Sequence, residues 1–329
     1  MPNEINWSLL AGLRITLATI VCGAHLVWFK RDAISTGLEM FGGKAAVVGF
    51  LLVSGFSIAA SLDRDESGFY FRRFKRIYPM YFFAVLSGIV LEVWLGNFQL
   101  PMYELEARGA ATAIGNILML QMFVVKSVAF NGVVWSLAVE SAFYLASPFL
   151  KRASLLTLAA LMVISATFYL MPIKFDGGWI YTMALKANVV KYFWPFATGF
   201  ILYFNRDNLL AAILLLMGSL LVWFSPINNE PLAVVTFVLS FSVVLLSRSG
   251  KLRSSEILDR LGDISYSLYL LQLPVFVLCY KVFGFISPAF LLASAFVVAA
   301  VAYELIDVRF KRWIFSALLK RDSRVRLRA

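Results

Sequence analysis

Eleven apolar stretches long enough to approach or cross a bilayer follow one another along this chain, and they leave room for little besides a bundle of membrane helices. They fall at roughly 7–29, 43–62, 77–96, 111–129, 132–150, 153–172, 186–204, 208–225, 231–247, 262–284 and 287–308. A hydrocarbon core about 30 Å thick is spanned by about 20 helical residues, and no water inside it can satisfy an open backbone. The connections are short and no Gly/Ser/Pro-rich linker intervenes, so residues 1–329 read as a single integral-membrane domain of the all-α class. Hydrophobic residues make up 61% and charged residues 15%, against roughly 45–50% and about 25% in soluble domains. Thirteen Tyr and eight Trp suit interfacial belts. Cys22 and Cys279 both sit in apolar segments and read as small hydrophobes rather than a disulfide pair. The first segment lacks a basic leader and a small-x-small cleavage site, so it is expected to remain as a helix.

Charge sets an expected topology. The loop from Asp63 to Arg76 holds five basic residues, that from Arg248 to Arg260 four, and the tail from Arg309 to Arg328 eight. All three are expected on the cytoplasmic side, as are Lys151-Arg152 and Arg206. Because the basic residues gather there, the net charge of +11 reflects topology and membrane lipids rather than nucleic acid. An even number of crossings must then separate the Asp63 loop from Lys151, yet three apolar segments do. One of 111–129 and 132–150, interrupted by Lys126 and by Asn131-Gly132, is therefore expected to be partial or re-entrant. About ten crossings remain, with both termini cytoplasmic and Lys30-Arg31 as the misfit outside.

The first segment carries the only histidine, His25, eleven positions after Arg14. At about 100° and about 1.5 Å per residue, the two share one helical face about 16 Å apart. Ionisable groups in lipid are costly and usually face a protein interior or a watery cavity. Ala18, Val21 and Cys22 between them would leave a lane of small residues for a substrate or a neighbouring helix. The plainer alternative is that Arg14 snorkels to the interface and His25 caps a hydrogen bond.

Further polar groups punctuate later segments. Arg73 and Arg76 lie three apart in Phe71-Arg72-Arg73-Phe74-Lys75-Arg76, where one helical turn would let both fork onto phosphate oxygens. A basic topogenic stop serves as well. Ser54-Gly55-Phe56 reads as close helix packing before it reads as a nucleophile. Trp135 opens a segment carrying Glu140 and Tyr144; that carboxylate needs a partner, and orienting His25, holding a hydroxyl or pairing with an arginine all satisfy it. Ser265-Tyr266-Ser267-Leu268-Tyr269-Leu270 spreads hydroxyls over another segment.

In this order, the Arg14/His25 spacing, Ser54-Gly55-Phe56, Arg73-x-x-Arg76, Trp135/Glu140/Tyr144 and Ser265 to Leu270 together resemble acyltransferase family 3, over nearly the whole chain. These are integral-membrane acyltransferases of envelope glycans and related acceptors. The resemblance implies His25 as catalytic residue with Glu140 beside it, and Arg14, Arg73 and Arg76 as donor-binding groups. It also implies substrate contacts at Trp135, Tyr144, Tyr266 and Tyr269. Its usual donor is acyl coenzyme A, acetyl preferred, with no permanently bound cofactor and no metal. The implied acceptor is a carbohydrate or lipid-linked glycan, and the implied location is the bacterial cytoplasmic (inner) membrane. The chain departs from many members at Val47-Val48, where an acidic residue is common, at Gln272, where a histidine is common, and at Asp307-Val308-Arg309 in place of Glu-x-Pro. The rival reading is a transporter or flippase of an anionic solute, with Arg14 and His25 lining its pathway.

Overall fold

The computed structural model describes residues 5–171, 187–248, 250, 253–284 and 287–314. Among the described residues the principal α-helices are α1 Trp7–Leu26, α2 Ala33–Glu39, α3 Gly43–Arg64, α4 Phe69–Leu95, α5 Gly109–Ile117, α6 Trp135–Arg152, α7 Leu155–Leu170, α8 Phe193–Phe204, α9 Asn208–Phe224, α10 Ala233–Ser247, α11 Glu256–Phe283 and α12 Pro288–Ala302. A π-helix, Tyr303–Phe310, continues α12, and a two-residue hairpin, Phe98–Gln99 with Glu104–Leu105, follows α4. Among the described residues, six helical runs are long and apolar enough to cross a membrane: α1, α3, α4, Ala129–Arg152, α11 and Pro288–Ile314. The apolar helices α7, α9 and α10 are shorter, at 15 to 17 residues. The chain is thus an all-α integral membrane protein.

Helix α3 lies at the centre, packed on α1, α6, α8 and α10. Its backbone touches that of α8 where two glycines meet: a Cβ on Gly55 would overlap the Phe196 carbonyl oxygen, and one on Gly199 the Leu52 carbonyl oxygen. Without side chains at the crossing, the two helices approach to backbone contact. Thus Gly55 of the Ser-Gly-Phe stretch is a packing residue. Contacts at the helix ends sort into two groups. One end joins Asn6 to Ser247, Lys151 to Leu62, Tyr203 to Asp63, Arg248 to Asn205 and Lys311 to Arg76. The other joins Trp28 to Met102, Met40 to Leu232 and Tyr169 to Asn228. The described parts of the Asp63–Arg76 loop, Lys151-Arg152, Arg206 and Arg248 collect at the first end, whereas Lys30, Arg31, Arg108 and Lys126 lie toward the other.

Of the two segments in doubt, 132–150 lies within a continuous helical run and 111–129 is the broken one. Helix α5 stops at Ile117, and Met119 and Met122 have positive φ of 58° and 71°. Non-helical backbone at such depth survives only where protein side chains satisfy it. Buried Asn116 donates to the Lys126 carbonyl (2.8 Å) and accepts from the Val128 amide (3.2 Å). Gln121 donates to the Val134 carbonyl at 3.0 Å. Glu92 accepts from the Arg108, Gly109 and Ala129 amides, capping α5 and fastening its return. Asn131 supplies the last tie. Pro274 inside α11 has no N–H, which deprives the Leu270 carbonyl of its helical donor; the Asn131 amide bonds that carbonyl at 3.0 Å and the Ala84 carbonyl at 2.8 Å.

The α3–α8 crossing generates a direct test. Gly55→Ala and Gly199→Ala each force the two backbones apart, with an expected cost of about 1–3 kcal/mol. Thermal unfolding in detergent should show a clearly lowered midpoint for both, whereas Gly37→Ala, whose added Cβ meets nothing, should change little.

Candidate active site

A cavity of about 550 Å³ opens between α1, α3, α4, α6, α11 and the π-helix. Each helix presents one face to it. From α3 come Val47, Phe50, Leu51, Ser54, Ser57 and Ile58, and from α6 come Ser136, Leu137, Glu140 and Tyr144. Steps of three and four along a helix keep such residues on one side. From Val47 to Ile58 the lining runs about 16 Å along α3, much of a membrane's depth.

Polarity changes along that depth. The end shared with the basic loops holds Arg14, Arg73, Arg76 and Lys311, with Asp259, Asp263 and Asp307. Among the described residues, none of the three arginines forms an ion pair. Arg14 donates to Ser57 Oγ at 2.8 Å, Arg73 lies over the Phe69 ring at 5.5 Å with its buried Nε unpartnered, and the Arg76 side chain is exposed. Lys311 pairs with Asp307 and donates to the Arg76 carbonyl at 2.8 Å. Three guanidinium groups face one space with none of the carboxylates that share it within ion-pair distance, and their planar forks suit phosphate.

Midway, Glu140 joins Ser54 and Tyr144. Ser54 Oγ and Tyr144 Oη each donate to Glu140 Oε1 at 2.5 Å, and the two hydroxyls lie 3.0 Å apart. The expectation of a Glu140–arginine pair is not met; hydroxyls satisfy the carboxylate instead. Nor does Glu140 touch His25. At the far end Ser136 Oγ meets Tyr269 Oη at 2.6 Å, and the Phe50 and Tyr269 rings stand edge to face at 5.2 Å. Tyr266 also lines the cavity, its hydroxyl donating to the Ile77 carbonyl at 2.9 Å.

The structure therefore brings Arg14, Arg73, Arg76, Glu140, Tyr144, Tyr266 and Tyr269 to one cavity, but neither His25 nor Trp135 lines it. Ala18, Val21 and Cys22 are buried in packing, so the lane along α1 holds neighbouring helices and not a substrate path. The open path instead follows α3, α6 and α11. His25 lies beyond its far end, touching Gln272, one turn of α11 past Tyr269. Trp135 packs against Tyr192 at 5.1 Å. Sequence reasoning missed Phe50, Ser57, Asp259 and Lys311 as lining residues. Their signal was the three- and four-residue spacing that places Phe50 and Ser57 in line with Ser54.

Residues 8–306 match the acyltransferase domain family, and the chain belongs to this acyltransferase family 3 of membrane enzymes. Among curated relatives, the candidate acetyltransferase ORF330 of Acidianus two-tailed virus is 26% identical over 250 residues, covering 68% of this chain and 70% of that protein. Acyltransferase MdmB of Streptomyces mycarofaciens is 31% identical over 164 residues, 46% of this chain and 41% of its own length. No solved structure matches the chain significantly. Family and relatives agree on acyl transfer.

The Glu140 trio predicts graded losses. Tyr144→Phe removes one of two donors to the carboxylate and should lower stability by about 1 kcal/mol, whereas Glu140→Ala strips both hydroxyls of their shared acceptor and should cost about 1–3 kcal/mol. Thermal melts of both variants check the order; a Glu140→Ala protein as stable as wild type would show that the trio holds nothing together.

Proposed function

We propose that this acyltransferase moves an acyl group, acetyl preferred, from acyl coenzyme A to a hydroxyl of an envelope or exported carbohydrate. The observation that carries this reading is the cavity, lined by Arg14, Arg73, Arg76 and Lys311 at the end shared with the basic loops and by the uncharged Phe50, Leu137 and Tyr269 at the other. A donor with phosphates at one end and a thioester at the other fits that gradient. Arg14, Arg73 and Arg76 take the phosphates, and the acyl end points towards Ser136 and Tyr269. Ten helices, α1, α3, α4 and α6 to α12, cross the cytoplasmic (inner) membrane with both termini inside, so the donor enters from the cytosol.

His25 is the base in this scheme. Neutral imidazole, with an ordinary pKa of about 6.5, accepts the proton of the acceptor hydroxyl as its oxygen attacks the thioester carbonyl. The carbon–sulfur bond breaks and the departing thiolate recovers that proton. A covalent acyl-histidine is the alternative route for the same residue. Because the cavity lining on α11 ends at Tyr269, one turn short of Gln272, the acyl end reaches His25 past the Phe50–Tyr269 pair. Trp135, Tyr266 and Tyr269 contact substrate around that passage, and the Glu140 trio steadies its wall.

Three outcomes follow. His25→Ala should lower acylation by about 100- to 10,000-fold in membranes holding matched amounts of protein, assayed with labelled acyl coenzyme A; near-normal product would remove His25 as the base. Arg76→Lys should raise the donor KM several-fold at unchanged topology, since lysine lacks the planar fork. Cysteines placed in the Asp63–Arg76 loop should react only with reagents supplied on the cytoplasmic side, and labelling from outside would reverse the orientation.

A further inference from the structure

Two acceptors meet one nitrogen of the His25 ring. Nδ1 lies 2.9 Å from the Val21 carbonyl oxygen, one turn back on α1, and 3.2 Å from Oε1 of Gln272 on α11. Neither oxygen carries a proton, so Nδ1 must; the second ring nitrogen, Nε2, then keeps its lone pair. The Gln272 side chain is wholly buried, and its own Nε2 donates to the Tyr269 carbonyl at 2.9 Å. Turning the amide over would set its oxygen against that carbonyl and its NH₂ against Nδ1–H. The network therefore fixes which end faces His25. The Trp28 ring meets the imidazole edge to face at 4.8 Å. Val21 alone leaves the ring tied only to its own helix; Gln272 ties it to a second one.

We infer that Gln272 is a positioning residue for the transfer step, holding His25 as the Nδ1–H tautomer and presenting Nε2 to the acceptor hydroxyl. This rests on the reading of His25 as the base. During transfer, Nε2 gains the hydroxyl proton while the oxygen–carbon bond forms, and gives it to the sulfur as the carbon–sulfur bond breaks. Nδ1 keeps its proton throughout, and the transient positive charge is shared with the oxygens of Gln272 and Val21. The same amide joins His25 to the backbone of Tyr269, so the base and the far end of the donor cavity sit in one fixed register on α11.

The chain has one histidine, so ¹⁵N-histidine labelling of the full-length protein, purified through a tag free of histidine, yields one imidazole spectrum. In wild type, the protonated-type resonance should belong to Nδ1 and the unprotonated-type to Nε2. Gln272→Met keeps the side-chain length but removes the acceptor; it should mix the two tautomers and lower kcat by about 10- to 100-fold, the usual size of an outer-shell effect on histidine, with donor KM unchanged. Gln272→Glu retains an acceptor and should keep the Nδ1–H spectrum and recover most of the rate. An Nε2–H tautomer in wild type, or a Gln272→Met protein with unchanged spectrum and kcat, would overturn the inference. A fully active His25→Ala protein would instead remove the base assignment, whatever the spectrum shows.

Discussion

The backbone contact between α3 and α8 is the constraint on which the rest of this bundle depends. A membrane interior offers no hydrophobic drive between helices, so close packing must hold them together. Gly55 and Gly199 permit that closeness, and α3 is buried along almost its whole length as a result. With one side of α3 taken by α8, the side bearing Val47, Phe50, Ser54 and Ser57 faces α6 and the cavity. The site is in this sense the consequence of a packing decision made by two residues without side chains.

Much of this was legible in the chain. Runs of apolar residues announce helices because the bilayer forbids other backbone, and the parity of the basic loops required one of two neighbouring segments to be incomplete. Which one it was depends on long-range bonds that no local pattern shows: Glu92 reaching the Arg108 and Ala129 amides, and Asn131 answering the carbonyl freed by Pro274. Arg14, Arg73 and Arg76 were singled out from spacing, and they do share a cavity. Of the two occupants the lane between Arg14 and His25 allowed, a neighbouring helix fills it and a substrate path does not, because a shared helical face says which residues align but not what packs against them. Ala18 and Cys22 are small, and neighbours fill the space they leave. The partner of Glu140 was likewise beyond the sequence, since a carboxylate accepts hydroxyls as readily as it accepts an arginine.

Charge and enclosure then divide the labour of the site. Three guanidinium groups outside ion-pair distance of any carboxylate occupy one end, where the half-buried Arg14 and Arg73 are stable only if an anion or water answers them. The uncharged far end, bounded by Phe50, Leu137 and Tyr269, suits a thioester. His25 stands past that boundary among Gln272, Val21 and Trp28. In the proposed scheme, separating donor phosphates from the base by most of a helix length would let an activated group arrive from one side of a membrane and meet its acceptor near the other.

That polarity of the donor is the central claim, and alkylation tests it most directly. In a protein with Cys22 and Cys279 replaced by alanine, a cysteine at position 136 marks the far end of the cavity and one at position 7 its arginine end. Bromoacetyl coenzyme A carries its reactive carbon where the acyl group sits. The account predicts rapid alkylation of Ser136→Cys, suppressed by free coenzyme A, with Trp7→Cys spared. Alkylation of Trp7→Cys with Ser136→Cys untouched would place the acyl end among the arginines and contradict it.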